Sequence, residues 1–271
     1  MRAGGRFMQG RHEAESLKPT EIAIDPRLKP ASVAADFKRL GRIHIPGFLT
    51  PASAGALHQA LASETQWRCS TMGSGKTIDF PVATLEAFTR EQTIRFITLA
   101  HAEARDGFHY MFDTLRITDL VEAGEPVSPM LAAAHAFLNS AAFLGFVRAL
   151  TGDPRPNYVD SQATRYEAGH YLTEHDDLKP ESRRLYAYVL NLTPKWRVDW
   201  GGVLTFIDDD GHVAEGYTPA WNALNLFRVP QAHAVSCLAP FAGAPRLSIT
   251  GWVRHIDPGS LARKVPASPP G

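Results

Sequence analysis

The sequence predicts an antiparallel β core carrying a layer of N-terminal helices, and three observations lead there. The chain has 271 residues, 44% hydrophobic and 21% charged, enough to bury a full core in one large domain or two small ones. Between residue 31 and about residue 156, long stretches carry helical periodicity. From about residue 157 the apolar runs become short, rich in Val, Tyr, Phe, Trp and Thr, and bounded by Gly, Pro and Asp. Strands that follow helices, rather than alternate with them, imply an antiparallel core and not βαβ units.

Residues 1–30 are polar and Pro-punctuated and read as a flexible leader; the Arg-rich start "MRAGGRFMQGRH" lacks the apolar segment of a secretory signal. One domain is expected over 31–255, with a helical layer at 31–156 and the β core at 157–255, and 256–271 reads as a tail. "ASVAADFKRLGRIHIPGFLTPASAGALHQAL" reads as helix, short strand, then a helix capped by Thr50 with Pro51 at its first position. "TLEAFTREQTIRFITLAHAEARDGFHYMFDTL" continues with helical periodicity. The apolar stretch 129–150 is long enough to suggest a membrane span, but His135, Asn139 and Ser140 interrupt it. It reads as buried helices, with a homodimer contact as one option. After it, "NYVDSQATRYEAG", "RRLYAYVLNLTP", "GGVLTFIDDDG", "WNALNLFRVP", "HAVSCLAP" and "RLSITGWVRH" follow strand-and-turn grammar.

Lys+Arg and Asp+Glu are equal at 28 each, so nothing draws the whole chain toward nucleic acid or anionic lipid. Cys69 and Cys237 form no CxxC pair, which argues against a disulfide framework or a cysteine zinc site and suits a reducing cytoplasm. "MGSGKT" (72–77) resembles a phosphate loop, yet the required first glycine is Ser70 and no hydrophobic strand precedes it. The segment reads instead as a glycine-rich loop, and "STMGSGKTIDFP" as a candidate lid. "DDDG" (208–211) lacks calcium-loop spacing and reads as a turn between strands.

The segment "EAGHYLTEHDD" (167–177) is different. On an extended strand His175 and Asp177 share a face while Asp176 points away. His233 lies 233 − 177 = 56 residues after Asp177, far enough for several strands to return the chain to the same opening. Two histidines and one carboxylate on one face is the donor set that suits non-haem Fe(II) oxygenases. In "RLSITGW", Arg246, Ser248 and Thr250 alternate with Leu247 and Ile249 and so face inward together. A buried Arg beside a hydroxyl is suited to hold a carboxylate. Other readings stay open: Arg246 could pair with a structural carboxylate such as Asp208, and Tyr166 could be a core aromatic. His170 and His212 read as loop histidines, and Trp196, Trp200, Trp221 and Trp252 as core or pocket-rim aromatics.

The ordered elements "RYEAGHYLTEHDD", "RRLYAYVLNLTPKW…GGVLTF", "WNALNLF…H" and "RLSITGW" resemble the Fe(II)/2-oxoglutarate-dependent dioxygenase superfamily. They are most similar to its prolyl-hydroxylase branch, which includes the ribosomal-protein prolyl hydroxylases. With the opening "GRIHIPGFLTPASAGALHQAL", the resemblance spans roughly residues 31–255. It implies a double-stranded β-helix (jelly-roll) core buttressed by helices, with His175, Asp177 and His233 as iron ligands. It implies Arg246 and Ser248 on the distal carboxylate of 2-oxoglutarate and Tyr166 as a further hydrogen-bonding partner. On "YVLNL" the family often places a tyrosine; here Asn191 falls there, with Tyr188 the nearest alternative. The implied cofactors are Fe(II), 2-oxoglutarate and O2, with ascorbate an optional addition. The implied reaction hydroxylates a C–H bond of a prolyl residue in a protein or peptide and releases succinate and CO2. Free proline or another small molecule is a second substrate option, and a non-catalytic metal-binding jelly roll is a different class. A metal-dependent hydrolase would need a general base beside the metal, and the sequence places none.

Overall fold

The computed structural model describes residues 21–257 and residue 259. Its helices are α1 (Ala34–Leu40), α2 (Pro51–Ala62), α3 (Val82–Glu86), α4 (Arg90–Asp106), α5 (Ile117–Ala123), α6 (Pro129–Leu138) and α7 (Ala141–Thr151). The strands are β1 (Arg42–Ile45), β2 (Arg68–Gly73), β3 (Lys76–Pro81), β4 (Tyr110–Leu115), β5 (Tyr158–Val159), β6 (Gln162–Tyr166) and β7 (Tyr171–His175). They continue as β8 (Arg184–Asn191), β9 (Leu204–Ile207), β10 (Val213–Tyr217), β11 (Ala223–Arg228), β12 (His233–Val235) and β13 (Arg246–Arg254).

Helix starts follow local chemistry. Thr50, Ser128 and Ser140 each accept a hydrogen bond from a first-turn backbone N–H, and Pro51 and Pro129 occupy first helical positions where no N–H is needed. Thr89 and Gln92 form a reciprocal capping box on α4. α6 and α7 bend by 43° at their junction, and among the described residues no single helix is long and apolar enough to cross a membrane.

The strands form one antiparallel sheet in the order β1-β11-β8-β13-β6-β4-β7-β12-β9-β10, curled into a nearly closed barrel, with β2 joining β4 to β3 and β5 pairing with β13. Period-two alternation divides its two faces. Tyr188 and Leu190 of β8, Leu224 and Leu226 of β11, and Leu247, Ile249 and Val253 of β13 face outward and pack with Leu57, Leu131, Phe143 and Val147 of the helices. Ala187, Val189, Phe227, Arg246, Ser248 and Thr250 face the interior. The helical layer is therefore bonded to one wall of the barrel, the wall containing β8 and β13.

Four expectations are corrected. "HYMFDTL" is not the end of a helix: Gly107 releases the chain after α4, and the segment forms β4, hydrogen-bonded to β2, β6 and β7. Sheet pairing on both edges overrides its local helical reading. "STMGSGKTIDFP" is not an irregular loop but the hairpin β2–β3, closed by Ser74 and Gly75, both at positive φ as a two-residue hairpin turn requires. Of the expected leader, residues 21–29 pack onto the domain: Ile24 bridges Leu49, and Asp25 N–H donates to the Phe48 carbonyl. Residues 1–20 lie outside the described residues. At the other end Ile256 is still tied down by two hydrogen bonds to Asn157, so the domain runs one residue past 255; of the expected tail, residues 258 and 260–271 lie outside the described residues.

The β1–α2 connection depends on Asn222. This buried residue sits at φ 52° and clasps Leu49, accepting from its N–H (2.9 Å) and donating to its carbonyl (2.7 Å). Asn222→Ala orphans both buried backbone groups and is expected to destabilise the fold by roughly 2–4 kcal/mol, read as a lowered urea midpoint.

Candidate active site

His175 ends β7 and His233 begins β12, and the two stand opposite each other in register. Between Leu172 and His175 the chain uses three residues where β12, between Val235 and His233, uses two. This β-bulge inverts the expected alternation: Leu172 lines the interior, and so does His175, an odd number of residues later. Asp177 also departs from the extended strand assumed for the His-x-Asp pair. It adopts a left-handed conformation, φ 64°, which an aspartate tolerates better than most side chains. Two departures from regularity, the bulge and the left-handed turn, therefore bring the pair together.

The Asp177 carboxylate lies 3.6 Å from His175 Nε2 and 3.5 Å from His233 Nε2. One potential ligand atom from each of the three residues falls within 4.8 Å of the others, so the group could hold one metal ion. Each imidazole has its Nδ1 against a backbone carbonyl, His175 at 3.0 Å from Thr173 and His233 at 2.8 Å from Gln231. Donation from Nδ1 leaves the Nε2 lone pairs facing the shared space, as metal ligation requires. Burial, then the neighbouring His175, pushes the His233 pKa down to about 4, against the pull of Asp177. Its imidazole is consequently neutral at pH 7. Arg184 Nη1 donates to the Asp177 carbonyl (3.2 Å), lies 3.4 Å from its carboxylate, and stacks 3.5 Å over the Trp252 ring.

A cavity of about 510 Å³ opens from this group into the barrel. Arg246 lines it, only 2% exposed. Its guanidinium has no hydrogen-bond or ion-pair partner among the described residues, and its buried Nε has no acceptor. The Asp208 pairing is therefore absent; the guanidinium carbon lies 5.0 Å from the centre of the Tyr166 ring. A guanidinium stays charged even when burial lowers its pKa, and a buried charge without a counter-charge costs several kcal/mol. The geometry is that of a site for an anion.

Tyr166 is buried beside Arg246 and stacks on Phe112 at 5.1 Å, and burial pushes its hydroxyl up to about 12, keeping it a neutral donor. Ser248 shares a 2.7 Å hydrogen bond with Thr164 on the cavity wall. Asn191 is buried at the end of β8, and its Oδ1 has no hydrogen-bond partner among the described residues. It pairs in register with Ser248 but does not line the cavity; its Nδ2 donates to the Ala223 carbonyl at 3.4 Å. Position 191 ends the strand beyond the last cavity-lining residue of β8, Val189. Tyr188 points the other way, with its ring 6.1 Å from Phe143 and its hydroxyl on the Asp160 carbonyl.

Sequence reasoning missed Arg184, Tyr110 and Phe108, whose ring lies 5.2 Å from that of His175. Trp252 was legible as the next inward position after Thr250. His170 accepts from the Glu167 N–H in a turn, and His212 is exposed on the β9–β10 turn, as expected for loop histidines.

Residues 161–254, which include all three grouped side chains and Arg246, match the sequence profile of the 2OG-Fe(II) oxygenase superfamily. The match covers about a third of the chain. Over 101 residues the chain is 37% identical to mouse prolyl 3-hydroxylase OGFOD1 and 36% identical to the Xenopus laevis protein of that name. The match covers 35% of this chain but only 18% and 19% of those proteins, so the matched region is about a fifth of the length of the curated relatives. A Pseudomonas putida prolyl-4-hydroxylase superposes with TM-score 0.54 at 19% identity, covering 84% of this chain and all of that one. A Trichoplax adhaerens prolyl hydroxylase, solved with a hypoxia inducible factor peptide fragment, gives 0.56 at 15% identity over 83% and 89% of the two chains. The epimerase SnoN of nogalamycin biosynthesis gives 0.51 at 14% identity over 89% and 91%. These likenesses establish the double-stranded β-helix fold of the 2OG-Fe(II) oxygenases; an epimerase among them shows that fold alone does not decide the reaction.

In the metal-free protein, His233 has a folded pKa below its unfolded value. The unfolded chain then binds more protons between about pH 6.5 and pH 4, so stability is full above that window and lost as the pH falls through it. The urea midpoint of the parent should drop across this window, and more steeply than that of His233→Asn; parallel profiles would contradict the buried neutral imidazole.

Proposed function

We propose that the protein is an Fe(II)- and 2-oxoglutarate-dependent dioxygenase that hydroxylates a prolyl residue in a protein or peptide. The observation that carries this reading is the partnerless guanidinium of Arg246 in the same cavity as the His175, Asp177 and His233 group. The donor set is two imidazoles and a carboxylate, a set that would fit Fe(II) and leave room for a co-substrate and O2. Bound together, iron and 2-oxoglutarate supply oxidation of a C–H bond coupled to decarboxylation, with release of succinate and CO2.

The protein's own part is placement and shielding. Arg246 neutralises the distal carboxylate of the co-substrate and fixes which end enters the barrel; Tyr166 donates from its hydroxyl, and Ser248 and Thr164 line the path. Thr173 and Gln231 hold the imidazole tautomers, and Arg184 holds the backbone and carboxylate of Asp177. Phe112, Val189, Leu204 and Phe227 exclude water from the interior.

The prolyl substrate is supported by the likeness to the OGFOD1 prolyl 3-hydroxylases and to two prolyl hydroxylase structures. A polypeptide is favoured over a free amino acid by the cavity's size and by its apolar rim, where Phe108 and Leu178 are exposed. Two free cysteines fit a reducing compartment, which we take to be the cytoplasm.

The deciding experiment mixes Fe(II)-loaded protein with 2-oxoglutarate and air, with and without proline-containing peptides, following succinate and an oxygen-atom mass gain. Succinate without peptide, rising when a substrate is added, is expected; none under any condition would favour a metal-binding module. His175→Ala and Asp177→Ala should abolish turnover while leaving the fold intact by circular dichroism. Arg246→Gln removes a charge-assisted contact of about 1.5–3 kcal/mol and should raise the KM for 2-oxoglutarate about ten- to hundredfold with metal affinity unchanged.

A further inference from the structure

We propose that Thr173 is a positioning residue for His175, holding open the β-bulge that turns this imidazole into the barrel. The proposal rests on the reading of His175 as a metal ligand. A bulge places an extra, unpaired residue on one strand, and that residue needs partners elsewhere. Thr173 finds them on the segment just before β4. Its N–H donates to the His109 carbonyl (2.9 Å), and its hydroxyl oxygen accepts from the His109 N–H (2.8 Å). Its own carbonyl is the group 3.0 Å from His175 Nδ1. Three polar atoms of one residue thus link a fixed point to the ligand ring.

His109 is that fixed point. It is fully buried, with Nδ1 2.9 Å from the Tyr171 hydroxyl and Nε2 3.2 Å from the Met72 carbonyl. Tyr171 in turn reaches the Ala100 carbonyl of α4 at 3.2 Å. The bulge is therefore anchored to β2, to α4 and to its own strand. The hydroxyl matters because it satisfies the His109 N–H at the point where the regular ladder is interrupted. Without it the local register is free to slip by one residue, and such a slip turns every following side chain to the opposite face.

The test compares variants of the full chain with Co(II) as a spectroscopic substitute for Fe(II). Thr173→Val keeps the branched shape and removes only the hydroxyl; Thr173→Ser keeps the hydroxyl. Loss of a group that orients a ligand commonly weakens metal affinity about ten- to hundredfold, and that loss is expected for Thr173→Val, with altered Co(II) ligand-field bands. Thr173→Ser should retain the parent's affinity and spectrum. A merely structural role would lower the urea midpoint without changing the spectrum. If Thr173→Val does not fold, Thr173→Ala against Thr173→Ser isolates the same hydroxyl. Equal Co(II) affinity and spectra within either pair overturn the proposal. A parent chain that shows no Co(II) spectrum sensitive to His175→Ala instead overturns the metal reading, and the positioning role with it.

Discussion

The antiparallel pairing of β7 with β12 is the constraint on which the site depends. These two strands are neighbours in the sheet, and their register sets His175 directly against His233. Side chains on neighbouring strands stay opposite each other only if the pairing is held, and the three-residue group could share one metal ion only if both imidazoles present the same nitrogen. The two backbone carbonyls that receive Nδ1 come from residues two positions before each histidine, Thr173 and Gln231. Pairing and tautomer are thus determined by the same short pieces of main chain, so the donor group is preorganised by the backbone more than by side-chain packing.

The second determinant is electrostatic. The barrel interior excludes water well enough to keep His233 neutral, yet it contains Arg246 with no internal counter-charge. Natural folds rarely leave a buried guanidinium uncompensated, and function is the usual reason for such an exception. The metal group alone would be compatible with several chemistries, and the fold alone is shared with an epimerase. Their conjunction with Arg246 in one cavity narrows the reading to metal chemistry with an anionic co-substrate.

Much of this was legible in the sequence, and the failures have physical causes. The alternation of Arg246, Ser248 and Thr250 against Leu247 and Ile249 was readable because this part of β13 runs in unbroken register with β6 and its faces differ in polarity. The His-x-Asp pair was selected by the same alternation, but the structure satisfies it by two irregularities that offset each other. Neither is visible from one strand, since a bulge is defined by its partner and a left-handed aspartate by the turn it closes. β4 was read as helix because its pattern is ambiguous until pairing on both edges is known. The Ser74–Gly75 turn had a local signal, a Gly within a polar pair between short runs, but its likeness to a phosphate loop drew attention to ligands instead of hairpins.

The helices cover the barrel unequally. They seal the outer faces of β8, β11 and β13, while the outward-facing residues Ala234 of β12 and Thr205 of β9 are not fully buried and β10 is a free sheet edge. Amide protons of β8, β11 and β13 are accordingly protected by a two-layer core, whereas those of β9 and β10 depend on a single layer. Opening of the barrel is then expected to begin at β9 and β10, on the side away from the helix-backed strand that holds Arg246.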